Sequence, residues 1–336
     1  MRAMVLRKIA PVETAPLERS ELPVPEPGPD ELRVRVLACG VCHTDIHEIE
    51  GDIKVPRLPL IVGHEIVGIV DKLGENVAQP LPGTLVGIPW LARVCGACRF
   101  CLKGRENLCE NIRFTGFHTD GGYAQFTLVH AGFCYPLPEN LPLPNLAPLL
   151  CAGVIGYRSL RRAQIQPGDR VGLWGFGASA HICLQVLKYW GCPVAVFTRS
   201  PLHQQHAREL GADWVGTADE QPPFKLDTGV IFAPAGELVP KALARLERGA
   251  TLALAGIHMS PVPVLDYDLI YHERQLVSVA NSTRQDVTEL LQLAEKIPLQ
   301  TTVTTFPLEG ANEALLAVKH SRLNGAAVLM PAGVQS

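Results

Sequence analysis

A short β-α-β pattern constrains the fold of this chain more than any other feature of its sequence. Residues 171–174 form a buried-strand-like run that leads into Gly175-x-Gly177-x-x-Ala180 at the start of an apolar, helix-forming segment. A further strand-like run, PVAVFTRS, follows one helix length later. In such a turn the first glycine allows the tight bend, the second admits a pyrophosphate to backbone amides, and the alanine permits close helix–strand packing. The pattern predicts a dinucleotide site whose loop residues are Gly175, Phe176, Gly177, Ala178, Ser179 and Ala180.

Strand-like and helix-like segments continue to alternate beyond this unit. Strand-like runs lie at residues 230–233 and 251–255, and each follows a helix-like segment, at 202–210 and 239–246. Regular alternation of strands and helices indicates an α/β fold with a doubly wound parallel sheet.

The end of the second predicted strand indicates which dinucleotide binds. An NAD site usually has an acidic residue there, on the ribose hydroxyls, whereas an NADP site replaces the acid with groups that bind the 2′-phosphate. The chain has Thr198-Arg199-Ser200 at this place and no carboxylate. Arg199 can bind phosphate through two donors, and Thr198 and Ser200 can add hydroxyl contacts. We therefore expect NADP to be preferred; the alternative is that Arg199 is a solvated surface residue and NAD binds.

Four of the ten cysteines are crowded into one segment. Cys95, Cys98, Cys101 and Cys109 follow the spacing C-x2-C-x2-C-x7-C. This spacing lets a loop wrap a tetrahedral ion with four thiolates, which is typical of a structural zinc site. An iron–sulfur cluster or four free thiols are the alternatives, and the cluster is less favoured because Glu110, not proline, follows the last cysteine.

A second set of candidate ligands is dispersed along the sequence. Cys42, His64 and Cys151 together offer two thiolates and one imidazole, and three protein ligands with an open fourth position are typical of a catalytic zinc. Taken singly, each residue could equally be a buried core side chain. Asp45 and Glu65 strengthen the metal interpretation, because Asp45 can accept a hydrogen bond from His64 and Glu65 can act as a ligand or a supporting carboxylate.

Composition limits the remaining possibilities. The chain has 336 residues, 47% of them hydrophobic, and a net charge of −3, which favours two domains and a large core. Its basic residues form no stripe or block, so neither nucleic acid nor an anionic membrane is expected as a partner. The start, MRAMVLRKIA, lacks the apolar core of a signal peptide, and we expect a cytoplasmic protein.

With these elements in order, the chain resembles the zinc-dependent medium-chain alcohol dehydrogenases, particularly the bacterial and yeast-like ones. The resemblance rests on LPVPEPGPDELRVRVLACGVCHTDIH, on GHE at residues 63–65, on the four-cysteine segment and on the nucleotide-binding pattern. It implies a GroES-like, β-rich catalytic domain over residues 1–153 and 283–336, with a structural-zinc lobe at about 90–113. A Rossmann dinucleotide-binding domain is expected over residues 154–282.

The resemblance also implies roles for single residues. Cys42, His64 and Cys151 would hold a catalytic zinc with Glu65 nearby, and the four clustered cysteines a structural one, giving two zinc ions per subunit. Thr44 is expected to hydrogen-bond the substrate oxygen, and His47 to end a proton relay to solvent. The further implied contacts are His43 beside the pyrophosphate, and Trp90 and Ile53 in the substrate pocket.

The function implied is reversible hydride transfer between a primary alcohol, aliphatic or aromatic, and NAD(P). A polyol, a cinnamyl-type alcohol or a formaldehyde adduct is an alternative substrate for the same fold. A zinc-ribbon module without enzymatic activity is the alternative of another class, and it would hold one zinc rather than two. By resemblance to bacterial members of this length, a homotetramer is expected in preference to a dimer.

Overall fold

The computed structural model describes residues 1–297, 299–320, 322–323 and 325–331. The chain divides by its internal contacts into two compact units. The first comprises Met1–Cys151 and Thr283–Ser336, and the second comprises Ala152–Ser282. Within the described part of the chain, none of the helices combines the length and the apolar character that crossing a bilayer requires.

Strands and helices follow one another along the whole chain. The strands are β1 (Arg2–Leu6), β2 (Leu17–Glu21), β3 (Glu31–Val41), β4 (Glu65–Leu73), β5 (Leu85–Ile88), β6 (Leu91–Arg93), β7 (Arg113–Phe114), β8 (Phe126–His130), β9 (Tyr135–Pro136), β10 (Val171–Trp174), β11 (Val194–Phe197), β12 (Trp214–Gly216), β13 (Leu226–Ile231), β14 (Leu246–Leu254), β15 (Gln275–Ser278), β16 (Val303–Pro307) and β17 (Ala326–Met330). The α-helices are α1 (His43–Glu50), α2 (Leu143–Leu146), α3 (Ala152–Arg162), α4 (Ala178–Tyr189), α5 (Pro201–Glu209), α6 (Leu238–Leu243), α7 (Arg284–Lys296) and α8 (Ala311–Lys319).

The first unit is built on a mainly antiparallel sheet. Its strand order is β16-β17-β3-β4-β5-β9, and β8 also pairs with β3. Along β3, buried apolar residues alternate with more exposed ones up to Ala38, as expected of a strand with one face on the core. Strand β17 pairs antiparallel with the end of β3, so the C-terminal segment completes this sheet.

The central strand pair of this sheet determines where two candidate ligands lie. Strands β3 and β4 run antiparallel, and Gly40 is paired with Glu65. Cys42 follows the last residue of β3, and His64 precedes the first residue of β4. The end of one strand and the start of its antiparallel neighbour share one edge of the sheet, so the register places Cys42 beside His64.

The second unit contains the predicted doubly wound parallel sheet. Its strand order is β12-β11-β10-β13-β14-β15, and all neighbouring pairs are parallel. Numbered from β10, this is the order 3-2-1-4-5-6 of two mononucleotide-binding halves. Strands β10 and β11 are buried along their whole length, as expected of strands covered on both faces.

Several segment boundaries in the second unit differ from the sequence expectation: the strand expected at residues 230–233 is β13, which starts at Leu226 and ends at Ile231. The helix expected at residues 239–246 is shorter, and Leu246 already belongs to β14. A register shift against β13 and the left-handed backbone of Gly249 (φ 74°) let the strand start early. Strands β12 and β15 are not indicated by the sequence, because both are short and β15 is largely exposed.

Candidate active site and metal centres

Helix α1 begins at a candidate metal ligand. Cys42 is the N-cap residue, and its Sγ accepts a hydrogen bond from the Thr44 N–H at 3.2 Å. In return, Oδ2 of Asp45 accepts one from the Cys42 N–H at 2.8 Å. This reciprocal capping box holds the sulfur at a fixed place at the end of β3.

Four candidate ligand side chains converge beside this N-cap. Sγ of Cys42 lies 3.3 Å from Nε2 of His64, and the ligand atoms of Cys42, His64, Glu65 and Cys151 all lie within 4.8 Å of one another. His64 and Glu65 are buried, whereas the two cysteines are half-buried. Two thiols, an imidazole and a carboxylate so close together are a set of ligands that fits a zinc ion.

Asp45 supports His64 from behind. Its Oδ1 lies 3.1 Å from Nδ1 of His64, and both side chains are fully buried. Burial by itself lowers the pKa of His64, but the Asp45 carboxylate and the Cys42 sulfur outweigh it and raise that pKa well above its usual value. An imidazole held at Nδ1 by a carboxylate presents Nε2 to a metal, the arrangement common at zinc-binding histidines.

The Cys42 thiol loses its proton more readily than an ordinary cysteine, which suits a metal ligand. The pKa of Cys42 is well below its ordinary value, chiefly because the Cys151 thiol donates to its sulfur, with further contributions from His64 and Thr44. A thiolate rather than a thiol is the form that binds zinc.

Glu65 reaches this cluster because Gly40 has no side chain. A Cβ on Gly40 would lie 1.9 Å from Oε2 of Glu65, which is an impossible contact. Burial is the main reason that the pKa of Glu65 is well above its usual value. The geometry therefore keeps Glu65 among the candidate ligands.

The four-cysteine segment forms a second cluster. Sγ of Cys98 lies 3.6 Å from Sγ of Cys101, and Sγ of Cys109 lies 3.5 Å from Sγ of Cys95. All four sulfurs lie within 4.8 Å of one another. Backbone N–H groups near Cys98 lower the pKa of its thiol to about 6. Four sulfurs so close together fit a tetrahedral zinc without an open position.

Two residues expected to contact the substrate, Trp90 and Thr44, lie close to the first cluster, that of Cys42, His64, Glu65 and Cys151. The ring centroid of Trp90 lies 6.0 Å from that of His64, and the indole stacks on Phe114 at 4.0 Å. Thr44 is half-buried, one residue from the start of α1. Trp90 and Thr44 therefore lie on or beside the cluster.

The remaining residues expected near the substrate lie around helix α1. Nδ1 of His47 is 2.8 Å from Oδ2 of Asp52, and His47 is partly exposed. Ile53 is half-buried and donates its N–H to the carbonyl of His47 at 3.1 Å. His43 is exposed at the first position of α1. His43 and His47 are thus at least partly accessible to solvent, and Ile53 is held beside His47 by a backbone hydrogen bond.

The predicted dinucleotide loop has the backbone its sequence requires. Gly175 has a positive φ of 90°, and a Cβ there would lie 2.8 Å from the backbone nitrogen of Ala233. Gly177 is the N-cap of α4 and is open to solvent, with Ala178 and Ser179 half-buried behind it. Ala180 is fully buried. An exposed glycine at a helix N-terminus leaves backbone amides accessible to a phosphate.

The end of β11 carries the residues expected to select the dinucleotide. Thr198 is buried, and its N–H donates to the carbonyl of Gly216 at 2.9 Å. Arg199 is exposed. Ser200 caps α5 by accepting the N–H of His203 at 3.4 Å, and this use of its hydroxyl oxygen was not anticipated.

Two buried polar side chains beside the first cluster are not among the residues that the sequence predicts for the site. The Tyr123 hydroxyl donates to Oδ2 of Asp45 at 3.2 Å. Glu48 is fully buried in α1, and burial is the main reason that its pKa lies well above its usual value. The sequence signal for Tyr123 was the pair Gly121-Gly122 before it, which indicates close backbone approach. Nothing in the sequence distinguishes Glu48 from a solvated helix residue.

Comparisons with known proteins identify the family. Residues 28–139 match the family model described as the alcohol dehydrogenase GroES-like domain, and residues 180–296 match the zinc-binding dehydrogenase model. A probable alcohol dehydrogenase of Mycobacterium tuberculosis is 45% identical over 98% of this chain and 97% of its own length. The chain belongs to the zinc-dependent medium-chain alcohol dehydrogenase family.

Further members of the family agree with this assignment. An alcohol dehydrogenase of Geobacillus stearothermophilus is 35% identical over 94% of this chain and 96% of its own length. The solved structure of a cobalt- and zinc-bound thermostable alcohol dehydrogenase from Pyrobaculum aerophilum has a TM-score of 0.88 at 26% identity, covering 98% of this chain and 99% of that one.

These comparisons confirm three of the sequence predictions. The family, the combination of a GroES-like domain with a Rossmann domain, and the enzyme class are as expected. The protein is an oxidoreductase that acts on alcohols with NAD(P), and the zinc-ribbon alternative is excluded.

Proposed function

We propose that this alcohol dehydrogenase is an NADP-preferring enzyme with two zinc ions per chain that interconverts primary alcohols and aldehydes. The observation that carries the proposal is the convergence of Cys42, His64 and Cys151, which are far apart in sequence, beside the first turn of α1. The proposed substrates are aliphatic or aromatic alcohols and aldehydes. We propose neither nucleic acid nor a membrane as a partner.

The two ion sites are assigned different tasks. The site of Cys42, His64 and Cys151, with Glu65 as a fourth or supporting carboxylate, is the proposed catalytic one, because these three ligands would leave a fourth position for substrate. When bound, zinc there would supply Lewis acidity, and NADP(H) would accept or deliver hydride. The site of Cys95, Cys98, Cys101 and Cys109 has sulfur on all four sides, so its proposed task is to stabilise its own loop.

The residues around the catalytic site are assigned to the substrate and its proton. Thr44 sits beside Cys42, with its N–H already fixed by that sulfur, so its hydroxyl is left to bind the hydroxyl of the substrate and to hold its proton. His47, partly exposed and hydrogen-bonded to Asp52, would exchange that proton with solvent. The flat face of Trp90, together with Ile53, would pack on the apolar part of the substrate.

Cofactor preference is assigned to the end of β11. Gly175 to Ala180 would bind the pyrophosphate through backbone amides at the start of α4, with His43 as a further proposed contact. Arg199 is exposed where an NAD site would have a carboxylate, so it is proposed to bind the 2′-phosphate together with Thr198 and Ser200. NAD remains usable because the rest of the site does not depend on that phosphate.

The deciding experiment compares initial rates of benzaldehyde reduction with NADPH and NADH on one preparation. A clear rate with NADPH and little with NADH is the result expected. The opposite preference would remove Arg199 from the cofactor site and leave the enzyme class unchanged. The absence of reduction with both would contradict the proposed substrate class.

The proposed catalytic site is tested by metal content. Cys151→Ala should bind one zinc instead of two and lose nearly all turnover while remaining folded. Cys134→Ala is the control, because Cys134 is a buried cysteine of the first unit that lies outside both clusters. Retention of two zinc ions in Cys151→Ala would remove Cys151 from the site.

We propose that the protein assembles as a homotetramer and lies in the cytoplasm. Support for assembly lies in the second unit, where Val264 is 100% exposed and Tyr267 and Tyr271 are 68% and 60% exposed. Exposed apolar side chains so close together in sequence favour a protein partner over solvent.

A further inference from the structure

A tyrosine in the first unit contacts the candidate metal site from its buried side. Tyr123 lies between Ala124 and the Gly121-Gly122 pair, and its side chain is fully buried. Its hydroxyl donates to Oδ2 of Asp45 at 3.2 Å. Because a buried hydroxyl needs a partner, this bond fixes the end of the tyrosine ring as well as the carboxylate.

The neighbouring backbone is shaped to accommodate this ring. Gly63 has a φ of 97°, and a Cβ there would lie 2.3 Å from Cδ1 of Tyr123. The backbone of Tyr123 is held as well, since its N–H donates to Val62 at 3.1 Å and its carbonyl accepts from Met4 at 2.8 Å. The ring therefore has one position, directly against the backbone of Gly63.

The two carboxylate oxygens of Asp45 have separate tasks. Oδ2 accepts from the Cys42 N–H at 2.8 Å and from the Tyr123 hydroxyl, while Oδ1 lies 3.1 Å from Nδ1 of His64. Among the described residues, His64 is the one ion-pair partner of Asp45. The two donors on Oδ2 thus hold the carboxylate in the rotamer that turns Oδ1 to the imidazole.

We propose that Tyr123 is a positioning residue of the catalytic metal site. Its hydroxyl fixes the Asp45 carboxylate, and that carboxylate fixes the His64 ring with Nε2 turned to Cys42. The proposal rests on the proposed function, because it takes Cys42, His64 and Cys151 to be the ligands. It adds a residue that contacts neither metal nor substrate.

Removing the hydroxyl should therefore loosen the metal without disrupting the fold. In Tyr123→Phe, Oδ2 of Asp45 keeps one donor of two, and the carboxylate gains freedom to rotate. Loss of supporting hydrogen bonds at zinc-binding histidines typically weakens metal binding about 10- to 100-fold. Since Tyr123 acts through Asp45, we expect about a ten-fold faster release of one zinc per chain.

The test measures zinc release from the purified full chain into an excess of a chromogenic chelator. Tyr135→Phe is the matched control, because Tyr135 is also a buried tyrosine of the first unit, and its hydroxyl has no hydrogen-bond partner among the described residues. Tyr123→Phe should release one zinc about ten-fold faster than wild type, and Tyr135→Phe should not. The zinc of the four-cysteine site should be released at an unchanged rate in both variants.

A double-mutant cycle separates positioning from a general effect on packing. Once Asp45→Asn has altered the carboxylate, adding Tyr123→Phe should change the release rate by less than about two-fold, because both changes act through one contact. Equal acceleration by Tyr123→Phe in the two backgrounds would overturn the proposal. The proposal would also be overturned if Tyr123→Phe released zinc no faster than wild type and Tyr135→Phe. Fewer than two zinc ions in the wild type would instead overturn the proposed function.

Discussion

His181 illustrates how much one buried residue affects the pH dependence of stability. It lies in α4, directly after the dinucleotide-loop residue Ala180, with Nδ1 3.3 Å from the carbonyl of Gly177. Burial lowers the pKa of His181 to about 4, and the nearby His206 and His203 act in the same direction. The pKa of His203 is itself lowered by burial and by His206. The first turn of α4 is thus built on a neutral imidazole.

We predict that this imidazole makes the chain less stable in mild acid. The folded-state pKa lies below the unfolded value of about 6.5, so the unfolded chain binds the proton first and the free energy of unfolding falls from about pH 6.5 towards pH 4. His181→Gln should remove about 2 kcal/mol of the difference in that free energy between pH 7 and pH 4.5. Urea titrations at the two pH values measure it, with the exposed His258→Gln as control. An unchanged difference in His181→Gln would refute the prediction.

Arg199 is the residue on which the expected cofactor preference depends. It is exposed at the end of β11, where an aspartate would instead repel a 2′-phosphate. Arg199→Asp should raise the dissociation constant of NADPH about 10- to 100-fold and that of NADH by much less, as expected for a lost charge-assisted contact. Cofactor fluorescence titrations measure both constants. The control is Arg208→Asp, because Arg208 is also exposed but lies on α5, away from the end of β11. Equal losses for the two cofactors would count against the assignment.

At the scale of elements, the sequence predicts those strands and helices whose local residue pattern is distinctive. Strand β10 occupies the predicted residues 171–174, because four buried residues followed by a glycine turn leave few alternatives. Strand β15 was missed because its four residues are mostly exposed and make no apolar run.

The candidate site is predictable in its residue types but not in its contacts. Cys42 and His64 meet through the pairing of β3 with β4, and that register is a property of the sheet. The contact of Tyr123 with Asp45 depends on the same long-range packing, and sequence spacing gives no measure of it.

Helix α7 shows an element whose start is set by one side chain. Thr283 is its buried N-cap, with Oγ1 accepting the Asp286 N–H at 3.2 Å and its own N–H donating to Oδ2 of Asp286 at 2.7 Å. Thr283→Ala should lower the free energy of unfolding by about 1 kcal/mol, the usual effect of removing a cap. Thr283→Ser keeps the hydroxyl and should recover most of that loss. Thermal unfolding of the three proteins measures it, and equal midpoints for alanine and serine would contradict the capping role.

At the scale of the whole molecule, the two units hold different candidate sites. Both candidate ligand clusters lie in the first unit, and the predicted dinucleotide loop lies in the second. Each unit has candidate residues where strands begin or end: at β3 and β4 in one sheet, and at β10 and β11 in the other. Strand ends are where a rigid sheet can hold side chains in place while leaving them accessible to a ligand.

Among the described residues, the sheet of the second unit ends at a strand with one free edge, and this edge bears on assembly. Strand β15 is the edge strand, and its Leu276 is 37% exposed. An exposed apolar edge favours pairing with another chain, so in the proposed tetramer this edge is expected to be covered by a second copy. The tetramer should have a mass of about 146 kDa, four times the 36.4 kDa of the chain.

We predict that a charge on this edge disrupts the assembly. Leu276→Lys should shift the mass measured by light scattering after gel filtration from that of a tetramer to that of a smaller species, because a buried lysine without a partner opposes association. Leu202→Lys is the control, since Leu202 is 53% exposed on α5, away from the edge strand. A tetramer that survives Leu276→Lys would show that another surface holds the chains together. A wild-type monomer would remove the proposed assembly altogether.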